Sequence, residues 1–158
     1  MELKEGYEKL RKKYSLPDYE ELDSVFEFLY FGPILEIKFP LRFIRRRICD
    51  KINSYVILFQ NIIYPNPASL ISIEESKFFS EEEKRKIADL LKDLISLLRE
   101  SVLLDLEHQE KKDAKFITGV FNEWKSLAHS IYFFSELLKR GWEQKTRGEE
   151  EREKHYFG

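Results

Sequence analysis

Few side chains in this sequence could ligate a metal or attack a substrate. It has three histidines, His108, His129 and His155, and a single cysteine, Cys49. A metal site needs several such groups, or carboxylates, converging on one point. The best local cluster is Asp105, Glu107 and His108, in which Asp105 and His108 stand three apart and share a helix face. A carboxylate-bridged diiron bundle would need a second Glu-x-x-His pair with further glutamates on other helices, and the sequence contains no second pair. Three and four positions before His129 stand Ser126 and Lys125, and neither is a carboxylate. The expectation is therefore no metal and no cofactor, with His108 at a solvated helix end and His129 a partly buried, hydrogen-bonded ring.

Nucleophilic chemistry has as little to start from. A cysteine on an aliphatic helix usually behaves as a small, inert hydrophobe, and Cys49 is read that way. The glycines at positions 6, 32, 119, 141, 148 and 158 are scattered singly, so no phosphate-cradling loop or dinucleotide fingerprint is present. Glu81, Glu82 and Glu83 are explained by a helix start, and Asp89 and Asp93 fall on the polar side of the same helix. No catalytic residue is assigned, and the leaning is toward a protein that is not an enzyme.

The elements that would position any site follow from composition and periodicity. With 158 residues, 42% hydrophobic and 35% charged, the chain can bury about 70% of the surface its unfolded form exposes. One helical domain over 1–145 is expected, followed by a charged, flexible tail at 146–158. A lone cysteine excludes a disulfide within the chain, and Met1 leads into charged residues instead of an apolar signal segment, so a cytoplasmic location is the default. Abundant Lys, Glu, Ile and Leu beside few Gln, Met and Cys is the bias of proteins from hot environments. The net charge of −2 supplies no global attraction to nucleic acid or to an anionic membrane.

Leu3, Tyr7 and Leu10 predict an amphipathic surface helix over 2–14, after which Ser15 caps and Pro17 opens a second helix carrying Leu22, Val25, Phe26 and Leu29. Residues 26–39 alternate with period two around Gly32-Pro33, which fits a small β-hairpin. An extended linker fits as well and is preferred, because a lone hairpin is marginal in water. Pro40 starts a long helix to about Ile63, broken by Pro65-Asn66-Pro67. Ile52 through Ile73 contains no charged residue, yet its apolar part falls well short of the roughly 20 residues that a membrane span needs. Ser80 and Glu83 form a capping box for a helix to about His108, whose buried face is read as Ile87, Leu90, Leu91, Leu94, Leu98 and Val102. Asp113 caps a last helical region, one helix or two broken near Trp124, which Gly141 ends. The fold class is mainly α, a single-domain antiparallel helical bundle.

Two features could bind a partner. Asp18 to Glu36 holds acids without a base, while Lys38 to Lys51 holds six bases and only Asp50. These blocks either neutralise one another across the fold, or leave Arg42, Arg45, Arg46 and Lys51 facing outward as a stripe for phosphates or an acidic partner. On the last helix Trp124, Phe133, Phe134 and Trp142 widen the apolar face beyond what one neighbouring helix covers, as expected of an interface or of a helix buried on two sides. The expected function is macromolecular interaction with another protein or with itself as a homodimer. The alternative is accessory nucleic-acid binding through 42–51, and no membrane role is expected.

The segments Leu16-Pro17-Asp18-Tyr19-Glu20-Glu21-Leu22-Asp23 and Glu75-Ser76-Lys77-Phe78-Phe79-Ser80-Glu81-Glu82-Glu83 resemble those of small archaeal all-helical proteins without an assigned activity. The resemblance spans about a third of the chain. It implies an archaeal source and supplies no site residues.

Overall fold

Helix starts and stops in this chain are set largely by side chains that satisfy free backbone groups. The computed structural model describes residues 3–28 and 37–156, in which six helices occur: α1 (Leu3–Tyr14), α2 (Tyr19–Phe26), α3 (Pro40–Ile63), α4 (Leu70–Lys77), α5 (Glu81–Glu107) and α6 (Glu110–Tyr156). No strand occurs among the described residues. The mainly α reading therefore holds. Residues 29–36, most of the expected hairpin or linker, lie outside the described residues, and Phe26 belongs to the end of α2.

The start of α2 differs from the expectation. Asp18, not Ser15, is its N-cap, and the carboxylate accepts from the backbone N–H groups of Glu20 at 2.9 Å and Glu21 at 3.3 Å. An aspartate in this place also meets the helix dipole favourably, which the neutral Ser15 directly after α1 cannot do. Ser15 instead sits at φ 52° beyond the end of α1, and His108 sits at φ 53° beyond α5. Both are left-handed helix ends of the kind glycine usually provides, at a cost of about 1–2 kcal/mol for each L-residue.

The Ser80/Glu83 capping box forms as expected: Ser80 N–H donates to Glu83 Oε2 at 2.7 Å and Glu83 N–H to Ser80 Oγ at 3.2 Å. The prolines at 65 and 67 break the chain after α3, and α4 then closes the exposed helix end. Buried Ser72 and Ser76, one turn apart on α4, donate to the carbonyls of Asn61 at 3.2 Å and Ile62 at 2.7 Å. These carbonyls lie in the last turn of α3, where no intrahelical donor remains.

The last helix departs most from its reading. It begins at Glu110, so Asp113 is an interior residue rather than a cap, and it runs unbroken through Trp124 and Gly141 to Tyr156. The stretch expected as a tail continues α6 to Tyr156, with the side chains of 146–155 exposed. Gly141 is glycine for a different reason. A Cβ there would overlap Cγ and Cδ2 of Phe78, so the bare backbone lets the ring seat against the helix.

The described residues form two compact units: Met1–Tyr55 with Asp93–Ser126, and Val56–Lys92 with Leu127–Gly158. α3, α5 and α6 contribute a segment to each. In the first unit Leu3, Tyr7, Leu22, Ile44, Ile48 and Ile117 are fully buried. The Tyr7 hydroxyl donates to Pro17 O at 2.8 Å, and its ring lies 5.4 Å from that of Tyr19. In the second unit Phe59, Ile62, Ile87 and Phe134 form the core, with Phe59 and Phe134 edge to face at 6.2 Å.

Candidate interaction surfaces

The basic segment 42–51 lies in the first turns of α3, and its cations are taken up in different ways. Arg45 is fully buried. Its Nε donates to Asp113 Oδ1 at 2.6 Å, its Nη1 to Ser101 O at 2.8 Å and to Ser101 Oγ, and its Nη2 to Asp105 Oδ1. One guanidinium fork thus joins α3, α5 and α6, the rigid multidentate geometry that arginine provides and lysine does not. Arg45 lies in the core beside Ile44 and Ile48, where the sequence suggests a cation paired with the acidic block or facing outward. What sequence reading missed is that Asp113 and Ser101, on two other helices, stand opposite.

Arg46 is exposed and donates to Asp105 Oδ1 at 3.2 Å. Lys51 donates to Val25 O at 2.6 Å and lies 3.5 Å from Glu27. Arg42 lays its guanidinium 4.8 Å over the Phe39 ring, and its buried Nε has no hydrogen-bond partner among the described residues. So Arg45 does not face outward, and Lys51 reaches the acidic block at Val25 and Glu27. The Arg45 and Arg46 partners come from α5 and α6 instead.

Asp105 is held by this network, which takes it out of the Asp105, Glu107 and His108 cluster. Burial raises its carboxyl, but the hydrogen bonds and charges of Arg45 and Arg46 outweigh that and keep it below the ordinary carboxylate range. Glu107 pairs with Lys112, and His108 is exposed at the left-handed end of α5. Among the described residues no group of three or more His, Cys, Asp or Glu could hold a metal ion. Burial pushes the Cys49 thiol up, opposed by its hydrogen bond to Ser101 and by Arg45. It stays protonated and weakly nucleophilic.

The aromatic residues singled out on the last helix divide. In the first unit Trp124 packs inward, 4.9 Å from Phe26 and 6.4 Å from Tyr55. In the second, Phe134 is buried against Phe59. Trp142 meets Phe78 edge to face at 5.3 Å, and its Nε1 donates to Glu75 Oε1 at 3.0 Å. Phe133 is left 46% exposed, with Tyr132 beside it at 69%.

The most unusual surface is the outer face of the charge-free half of α3. Ile57, Gln60 and Asn61 of α3 stand at i, i+3 and i+4, and Tyr64, directly past its end with its N–H still donating to Gln60 O at 2.8 Å, falls at i+7 on the same side; all four are exposed. Ile57 is 54% and Tyr64 74% accessible. Leu70 and Ile71 of α4, in the same unit, are also open. In the first unit Val102, read as part of the buried face of α5, is 52% exposed with Leu103 and Leu106 beside it, while Leu104 turns inward. The crowding of Val102, Leu103, Leu104 and Leu106 within five positions hid which face of α5 is covered.

A second feature of the first unit is a cleft of about 850 Å³ between the end of α1 and the first turns of α6. Lys13, Lys111, Lys112 and Lys115 line it, with Tyr14, Thr118, Gly119 and Asn122. Glu110 holds Lys13 at 3.2 Å and accepts from the Tyr14 hydroxyl at 2.7 Å. Among the described residues neither Lys111 nor Lys115 meets an acid. Nothing local in Glu110-Lys111-Lys112 shows that α1 ends beside it.

No helix among the described residues is long and apolar enough to cross a membrane. Comparison with family models, with curated proteins and with solved structures returned no match to the chain.

Proposed function

We propose that this chain is a non-catalytic helical protein that works by docking onto another protein surface, a second copy of itself first, through the outer face of α3 around Ile57 and Tyr64. The observation that carries the reading is an exposed helix face with no charge on it. A solvated helix ordinarily turns charged residues outward, whereas depletion of charge around aromatic and apolar side chains marks the centre of protein interfaces. Tyr64 supplies a large apolar body with a polar tip, and tyrosine is among the residue types enriched where binding energy concentrates. The basic segment 42–51 supports a nucleic-acid reading less well, because Arg45 is spent in the core and Arg46 and Lys51 are paired.

Light scattering on the full chain tests this. The wild type should show a mass above the 19.1 kDa of one chain, and Ile57→Glu with Tyr64→Glu should return it to that mass with helicity unchanged. A wild type at monomer mass over the whole accessible concentration range would sink the self-association version of the reading.

A further inference from the structure

We propose that the lysine cleft of one copy receives the acidic run 148–153 of α6 from a second copy, clasping two chains by charge. The proposal rests on the reading that the chain associates with itself, and adds a second, electrostatic contact to it.

The cleft is prepared for an anion and is not filled from within. Glu107 and Glu110 occupy two of its four lysines, while Lys111 and Lys115 present ammonium groups with no acid among the described residues. Its α6 side also carries Gly119. A Cβ there would meet nothing, so no internal packing requires glycine, although glycine in a helix interior costs about 1 kcal/mol relative to alanine. Bare helix backbone facing an open cleft is what a closely approaching chain uses. Thr118 and Asn122, on the same lining, offer donors to carboxylates.

The occupant is argued from charge. Residues 148–153 carry Glu149, Glu150, Glu151 and Glu153 with a single base, Arg152. The four glutamates are exposed and have no ion pair among the described residues, whereas Glu136 and Glu143 of the same helix are already held by Arg140 and Lys139. The run opens on Gly148, where an added Cβ would also meet nothing. Two helices that meet at glycines approach backbone to backbone. Exchange of runs between two copies closes a dimer, and a one-way contact would continue into a string.

The test is sedimentation of the full chain at about 50 mM and about 500 mM salt, since exposed charge pairs are screened over this range. Association should weaken as salt rises. Lys111→Glu with Lys115→Glu, and separately Glu149→Lys with Glu150→Lys and Glu151→Lys, should each weaken it about ten-fold or more, and mixing the two variant chains should restore it. Gly119→Glu, which places a carboxylate in open space, should act like the lysine variants, and circular dichroism checks that each variant stays helical. Failure of the mixture to restore association overturns the clasp. So does a charge effect that does not depend on protein concentration, because it places the contact within one chain. If association ignores the charge variants but is lost in Ile57→Glu with Tyr64→Glu, the clasp falls and the α3 reading stands. A wild type that is monomeric at both salts removes both. A labelled oligonucleotide released by the lysine variants, with self-association unchanged, gives the cleft to nucleic acid and overturns the proposal.

Discussion

Arg45 shows how one side chain can tie a helical core together and make it vulnerable. The guanidinium lies at zero accessibility, with Asp113 almost as deeply buried, so each charge is tolerable only because the other is present. Arg45→Met leaves the Asp113 carboxylate uncompensated and is expected to cost about 3–5 kcal/mol in chemical denaturation. Replacing both, Arg45→Met with Asp113→Leu, should recover most of that loss, because a buried ion pair rarely beats a packed apolar pair. A double variant as unstable as the single one would show that the network contributes through something other than charge compensation.

At the scale of elements, the same residue type has opposite meanings along one helix. α6 carries Gly119, Gly141 and Gly148. At Gly141 a methyl group collides with the Phe78 ring, and the Phe78, Trp142 and Glu75 arrangement must move. Gly141→Ala should therefore destabilise by about 1–3 kcal/mol, an overpacking cost that exceeds the helix propensity gained. Gly119→Ala and Gly148→Ala meet no neighbour and should each raise stability by up to about 1 kcal/mol. Thermal unfolding at low protein concentration measures all three. A stabilised Gly141→Ala would mean that Phe78 does not seat against the helix.

For the molecule as a whole, acid tests which surface ties hold elements together. Hydrogen bonds from Lys77 and from Lys145 of α6 pull the Glu74 carboxyl of α4 down to about 2. In the other unit the arginines hold Asp105 below its ordinary value, against the effect of burial. A carboxylate depressed in the folded state stabilises above its unfolded value of about 4 and loses that contribution as pH falls through the folded value. Stability should therefore be level above about pH 5 and decline toward pH 2, and Glu74→Gln and Asp105→Asn should each flatten that slope. An unchanged slope in both variants would assign acid unfolding to other groups.

The order of helices, the break at Pro65 and Pro67, the Ser80/Glu83 box and the helical class were legible in the sequence, because caps, prolines and the 3.6-residue period act within a few neighbours. The same local evidence put Ile57 and Tyr64 in an uncharged stretch, but it gave no sign that Arg45 is buried. It misled where a residue's role is set by a distant partner. Asp113 resembles a cap until Arg45 is opposite it, Gly141 resembles a stop until Phe78 lies against it, and Val102 resembles core until no helix covers it. Which lysines gather at the end of α1 also had no local signature. Elements follow from interactions close in sequence. Which faces are covered, which charges are spent and which surfaces stay open depend on side chains dozens of residues apart, and only the packed chain brings those together.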